Sequence, residues 1–183
     1  MESYDCLMIG AGHTALQRKV TAPGTPPPFR LRWTSLDMNP EANPDIVFNL
    51  DDLHFRSQKI PVEPETFWEI HAYEVLEHIG RQGNYQGFFN EFREYWRILK
   101  PGGYMIGTCP ARGGPWEWDD PGHTRVITNG TLSYLTRDMY KDLGNNAASD
   151  YRSLVDPYWW KLRMSRNPED APWAYVFALQ KDE

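Results

Sequence analysis

The chain has 183 residues, 40% of them hydrophobic and 14% aromatic, with eight Trp, which is the length of one domain and enough apolar bulk to exclude disorder throughout. Its 19 Lys and Arg stand against 25 Asp and Glu, a formal charge of −6, which argues against a general electrostatic grip on nucleic acid and favours a small or neutral ligand. The opening MESYDCLMIG has no basic segment and only a short apolar run, so neither a secretory leader nor a membrane span is expected and a cytoplasmic location is.

Tyr4 to Ile9 is an apolar run that stops at glycine, the pattern of a strand buried on both faces of a parallel sheet. After Gly10-Ala11-Gly12 the breakers Pro23, Gly24, Pro26, Pro27 and Pro28 leave room for only about two helical turns. The first crossover is therefore expected to be mostly loop. Leu31 to Leu36 reads as a second strand ending at Asp37, and Asp45 to Leu50 as a third ending in the acidic pair Asp51-Asp52. Thr66 to Tyr73 has strand composition, and Glu74 to Ile79 follows as a short helical turn. From Tyr85 to Leu99, Phe88, Phe89, Phe92, Tyr95, Trp96 and Leu99 recur at spacings of three and four, which predicts an amphipathic helix ended by Pro101-Gly102-Gly103.

Tyr104 to Cys109 is the fifth predicted strand, and Leu132, Leu135, Met139 and Leu143 mark a helix broken near Asp138. Trp173 to Leu179 reads as a final strand with a partner around Pro157 to Leu162. Cys6 and Cys109 lie far apart and outside any CxxC spacing, as expected of buried or strand-end thiols. The whole predicts a Rossmann-like, doubly wound, mostly parallel α/β sheet in a single domain over residues 1–183. Residues to about 110 form its cofactor half, and about 111–183 the substrate side and C-terminal strands. In such a sheet ligands bind beyond the carboxyl ends of the strands, where Gly10, Asp37, Asn49 to Asp52, Tyr73-Glu74 and Cys109-Pro110 all fall.

Gly10-Ala11-Gly12-His13-Thr14-Ala15 matches G-x-G-x-x-G/A, a pattern that removes side chains where backbone approaches a ligand. Asp37, at the next acidic strand end, is placed to accept from two ribose hydroxyls. A dinucleotide pyrophosphate draws on the positive end of a well-formed helix, which the prolines curtail. NAD is thereby disfavoured against S-adenosylmethionine, which has no phosphate.

MIGAGH, LDMNPEANPDIVFNLDDL, FWEIHAYEVLEHIG and FREYWRILKPGGYMIGTCP resemble, in order and spacing, small class I S-adenosylmethionine-dependent methyltransferases of the type with LEH after strand four and LKPGG before strand five. The likeness runs from about Tyr4 to Pro110, and VLEH followed by RILKPGG is its most specific part. It implies the methyltransferase fold with an antiparallel C-terminal strand and a reduced first crossover helix. Gly10, Ala11 and Gly12, with His13 following, would form the platform under the methionine part of the cofactor. Asp37 would hold the ribose and Met38 pack on the adenine. The stretch Asn49-Leu50-Asp51 would serve the adenine amino group, with Asn49 and Asp51 both open for that role. The turn through Ala72, Tyr73 and Glu74 would pass the sulfonium. The glycine turn is GAG rather than the commoner GCG, which leaves the cofactor more exposed unless a loop, a second copy or another partner covers it.

Methyl transfer from a sulfonium needs alignment and exclusion of water, and a base only for acceptors that must lose a proton. Base candidates are His78, His123 and Asp119, with Glu74 and Glu77 behind them. The segment Pro115 to Arg125 is dense in aromatic and charged residues; Trp116 and Trp118 would clamp a small-molecule acceptor, and Arg125 with Asp119 and His123 would set its polar register. His71, Glu74, Glu77 and His78 lack the H-E-x-x-H order, so no metal is expected. Asp156-Pro157-Tyr158-Trp159 is close to the D-P-P-Y tetrad of DNA amino-methylating enzymes but does not follow strand four, so no DNA substrate is expected. A cofactor-binding or scaffold module without turnover, and a nicotinamide-dependent oxidoreductase, are the rival readings.

Overall fold

A computed structural model describes residues 4–13, 15–25, 31–145 and 148–182. Thr14 of the glycine motif and the breakers Pro26, Pro27 and Pro28 lie outside the described residues. Seven strands form one sheet in the order β3-β2-β1-β4-β5-β7-β6. They are β1 (Tyr4–Ile9), β2 (Leu31–Asp37), β3 (Ile46–Val47), β4 (Phe67–Tyr73), β5 (Leu99–Pro110), β6 (Trp160–Arg166) and β7 (Ala174–Lys181). The pairs from β3 through β5 are parallel, whereas β7 runs antiparallel to both β5 and β6. This is the mostly parallel, doubly wound arrangement that the sequence predicts. The strand order reverses beside β1, so the carboxyl ends of β1, β2 and β4 border the crevice where such sheets bind ligands.

Alternation along β4 explains how the two faces are covered. Ile70 and Ala72 point into the main core, where Phe89, Phe92, Tyr95 and Ile98 of helix α2 (Tyr85–Ile98) are buried. Asn84 caps that helix by accepting from Gly87 N–H at 3.1 Å. Glu69, His71 and Tyr73 fall on the opposite face by the period of two. There they meet the first crossover, which holds no helix among its described residues.

The guanidinium of Arg18 enters this face and donates to Glu69 through Nε at 3.0 Å and Nη2 at 2.7 Å. His71 Nε2 lies 2.8 Å from the same carboxylate, and Nδ1 lies 2.7 Å from the Tyr73 hydroxyl. The Tyr73 oxygen in turn accepts from the main-chain N–H groups of Lys19 and Val20. A polar stripe thus anchors an irregular segment that has no helical ladder of its own to satisfy its amides. Burial alone would push the Glu69 carboxyl up, but His71 and Arg18 outweigh it and hold the group below its ordinary value. Burial lowers His71, against the pull of Glu69.

Several boundaries differ from the sequence reading. The predicted third strand shortens to Ile46–Val47 because the Asn49 side chain accepts from Asp51 N–H at 3.0 Å, and Asp51 opens helix α1 (Asp51–Phe55). Two carboxylates suit the first turn of a helix better than the end of a strand. Pro101-Gly102-Gly103 does not separate helix from strand: β5 begins at Leu99, and a register shift opposite Phe67 and Glu69 absorbs the extra residues.

The predicted helix through Leu143 breaks earlier than Asp138. Helix α3 (Asn129–Ser133) stops, Thr136 bridges to Trp160, and a 3-10 turn follows over Arg137–Tyr140. A further short helix, α4 (Arg152–Val155), precedes β6, which starts later than the Pro157 to Leu162 reading. Cys6 and Cys109 are free and buried. Among the described residues no helix is long and apolar enough to cross a membrane.

Removing one partner of a buried ion pair strands the other, at about 3–5 kcal/mol. Arg18→Ala is therefore expected to lower the urea-unfolding free energy by about 3 kcal/mol, since its side chain is 4% exposed and that of Glu69 0%. A loss near zero would contradict the anchoring role of this pair.

Candidate functional site

At the carboxyl rim of the sheet a cavity of about 370 Å³ is lined by Gly10, Leu36, Asp37, Met38, Phe48, Asn49, Leu50, Asp51, Val75, His78 and Ile79. Gly10 has φ +60, and a Cβ there would collide with Val75, so only glycine lets the end of β1 pass beneath the chain leaving β4. That chain reverses sharply because Glu74 itself has φ +52, an unusual value for a side-chain-bearing residue, with its N–H donating to Thr108 O at 2.9 Å.

The Asp37 carboxylate accepts from Gly12 N–H at 2.7 Å through one oxygen and from Asn39 N–H at 2.8 Å through the other. Each oxygen keeps further accepting capacity toward the cavity. Asp51 Oδ1 accepts from Gly80 N–H at 2.7 Å, tying α1 to the turn after β4.

The cavity brings together Gly10, Asp37, Met38, Asn49, Leu50, Asp51 and His78 from the sequence-predicted set. It leaves Ala11, Gly12, His13, Ala72, Tyr73 and Glu74 off its lining. Ala11 and Ala72 are buried and His13 is exposed. The Tyr73 side chain faces the crossover instead, where its hydroxyl is already engaged; its alternation along β4 with Ala72 dictates this. Phe48, Val75 and Ile79 line the cavity and were not singled out from sequence, although Val75 lies within VLEH, where the signal was available.

Beside the cavity, a 3-10 turn over Leu76–His78 carries Glu77 and His78. The segment after the aromatic loop runs along it: Thr124 N–H and hydroxyl donate to Glu77 O, and Arg125 Nε donates to Leu76 O at 2.7 Å. This register sets His123 against His78, with ring centroids 4.7 Å apart. The two predicted histidines are thus neighbours. Glu77 is 2% exposed, and neither oxygen of its side chain has a hydrogen-bond partner of good geometry, the buried Cys109 thiol beside it being a weak donor. Burial, reinforced by the nearby Glu74, pushes its carboxyl up to about 7.

Arg125 corrects the sequence reading. Its side chain is buried and donates to both oxygens of Glu91 at 2.7 and 3.0 Å, so it is committed to the core rather than to an acceptor. His54 Nε2 meets the same carboxylate at 2.8 Å, completing a network that sequence spacing did not expose. Burial opposes ionisation of Glu91, but Arg125 and His54 prevail and hold it at about 2. Trp116 and Trp118 are 57% and 55% exposed, and Asp119 is exposed, all on the loop before His123.

At the level of sequence, no family model and no curated protein matches the chain. In three dimensions it is similar to an S-adenosylmethionine-dependent methyltransferase from Archaeoglobus fulgidus, with TM-score 0.54, 11% identity and coverage of 98% of this chain and 86% of that one. It is similar also to the N-methyltransferase NodS of Bradyrhizobium japonicum, solved with S-adenosyl-L-homocysteine, with TM-score 0.54, 14% identity and coverage of 98% and 78%. A third likeness is to a structure described as the complex of the Haloferax volcanii Trm112 methyltransferase activator with a methyltransferase, with TM-score 0.58, 12% identity and coverage of 100% and 84%. Against a Bordetella parapertussis structure the chain spans 63% of the other's length. The chain therefore has the Rossmann-like fold of S-adenosylmethionine-dependent methyltransferases, and at these identities the likeness is one of fold.

Because Glu77 ionises near 4.5 when unfolded and near 7 when folded, the folded state holds the extra proton between those values. Stability should fall as pH rises through that window. Glu77→Gln should remove this component, so the variant gains on the wild type between pH 4.5 and 7 in denaturant titrations. Parallel pH curves for the two would contradict the assignment.

Proposed function

We propose that the chain is an S-adenosylmethionine-dependent methyltransferase that moves a methyl group to a small acceptor by in-line displacement. The observation that carries this reading is that Gly10 and Asp37 share one cavity of about 370 Å³ with the apolar Met38 and Leu50. A carboxylate beside apolar walls fits a ribose next to an adenine, and the described lining carries no lysine or arginine for a phosphate. S-adenosylmethionine would supply an activated methyl on a sulfonium that leaves as a neutral thioether.

In this reading Asp37, already oriented by Gly12 and Asn39, accepts from the ribose hydroxyls, and Met38 and Leu50 flank the base. Asn49 or Asp51 receives the adenine amino group. The main chain from Gly10 through His13 supports the methionine end, while Ala72, Tyr73 and Glu74 contribute backbone and charge near the sulfonium. His78 and His123 border the acceptor side, and proton removal, where the acceptor requires it, belongs to their cluster with Asp119 in reserve. Trp116 and Trp118, exposed on the preceding loop, are the aromatic surfaces for an acceptor to meet.

A second reading has one observation in its favour. Met38 is 65% exposed although it would pack on the adenine, as in a module whose cofactor site is covered by a partner or a second copy. A neighbour of the same fold is found in complex with a methyltransferase activator, which supports a reading with a partner. The nicotinamide reading is weakened by the first crossover, which offers no helix N-terminus to a pyrophosphate among its described residues.

Calorimetric titration with S-adenosylhomocysteine should give binding that NAD does not reproduce. Asp37→Ala should weaken it by about 1–3 kcal/mol, the range for charge-assisted hydrogen bonds. An unchanged dissociation constant would contradict the ribose role. Binding without turnover on a broad acceptor panel would favour the module.

A further inference from the structure

Glu77 stands out as a carboxylate that the fold has buried and left unsolvated. Its side-chain oxygens have no hydrogen-bond partner of good geometry, only the weak donor of the buried Cys109 thiol beside them, its residue is 2% exposed, and a carboxylate in that condition is normally either paired or ligating. One ligand-capable atom each of Glu77, His78 and His123 lies within 4.8 Å of the others. The histidines are also prepared for ligation. His78 Nδ1 is 3.2 Å from Gly122 O, and His123 Nδ1 is 3.2 Å from Glu117 O. A carbonyl oxygen can only accept, so these contacts favour the Nδ1–H tautomer of each neutral ring, the one that offers Nε2 to a metal. Hydrogen-bonding one ring nitrogen to a carbonyl to fix the other for a metal is the usual outer-shell arrangement.

From this geometry we infer that Glu77, His78 and His123 form a binding site for a first-row divalent transition ion, beside the cofactor cavity that His78 also lines. Two imidazoles and one carboxylate select zinc, cobalt or a similar ion over magnesium or calcium, which prefer all-oxygen sets. Metal–ligand distances of about 2.0–2.2 Å require the three groups to draw together by about an ångström. His78 is exposed and His123 half-buried, so both rings are free to make that adjustment. The expectation of no metal rested on His71, Glu74, Glu77 and His78 as neighbours in sequence; the fold instead directs His71 to the opposite face and brings in His123 from beyond β5. The other clustered set, Cys6, Glu69 and His71, lacks this readiness because Arg18 and Tyr73 already satisfy its carboxylate and imidazole. Binding of the ion stands independently of the methyltransferase reading. Its use rests on that reading: the ion would polarise an acceptor hydroxyl or amine so that the proton passes to solvent, the bound imidazoles then serving as ligands and not as the bases they would be in the metal-free chain.

The test is titration of chelator-treated protein with Co²⁺ and with Zn²⁺, followed by visible absorption and calorimetry. The wild type is expected to bind about one ion per chain with ligand-field bands and no thiolate charge-transfer band. His123→Ala and Glu77→Gln should each weaken binding by about 100-fold or more, the loss of a direct ligand exceeding that of an outer-shell partner. Circular dichroism identifies variants that remain folded, and His78→Ala serves as a third if one of the two does not. No binding, binding indifferent to all three substitutions, or a thiolate band would overturn the site. S-adenosylhomocysteine titration of the metal-free chain runs alongside: cofactor binding without metal binding removes only this inference, and the converse removes only the methyltransferase reading.

Discussion

A single carboxylate joins the ends of two parallel strands at the rim where everything else gathers. Asp37 accepts one main-chain amide from the glycine turn after β1 and another from its own strand's exit. Both turns are thereby held at a fixed distance from one another, with a negative charge facing the crevice between them. Hydrogen bonds to an ionised acceptor are the stronger kind, so this tie substitutes in part for the helix that would ordinarily brace the glycine turn from behind.

Strand β4 distributes the remaining tasks by alternation. On one side Ile70 and Ala72 pack into the aromatic core beneath α2. On the other, Glu69, His71 and Tyr73 hold an irregular crossover through a buried arginine and two main-chain amides. At its carboxyl end the left-handed backbone of Glu74 swings Val75 over Gly10 and delivers Glu77 and His78 to the edge of the cavity. The buried Arg125–Glu91 pair and the Arg125 contact with Leu76 O then fix the strip that carries His123. Core electrostatics and site geometry are coupled at this point: the arginine that the sequence reading gave to an acceptor is the clamp that fixes the strip carrying His123 beside His78.

Much of the fold was legible because its signals are local. The apolar run ending at Gly10 and the three-and-four spacing from Phe88 both mark elements that exist. Asp37 stands out by its position at a strand end and Met38 through the family resemblance, and the cavity includes both. What sequence could not reveal depends on side-chain direction or distant pairing. Tyr73 ends β4, and only the period of two shows that its ring turns onto the crossover, leaving just its main chain toward the rim. Arg125 looked available because its partner Glu91 lies on a different element. The acidic pair Asp51-Asp52 read as a strand end, when the Asn49 side chain instead makes it a helix start. Glu77 gave no sign in sequence of how completely it would be buried.

The account turns on an adenosyl group occupying the rim between β1 and β2. A crystal structure of the chain with S-adenosylhomocysteine addresses that directly. The account predicts ribose hydroxyls within hydrogen-bonding distance of the Asp37 carboxylate and the adenine against Met38 and Leu50. Nucleoside density seated elsewhere, with Asp37 facing only its two amides, would contradict it.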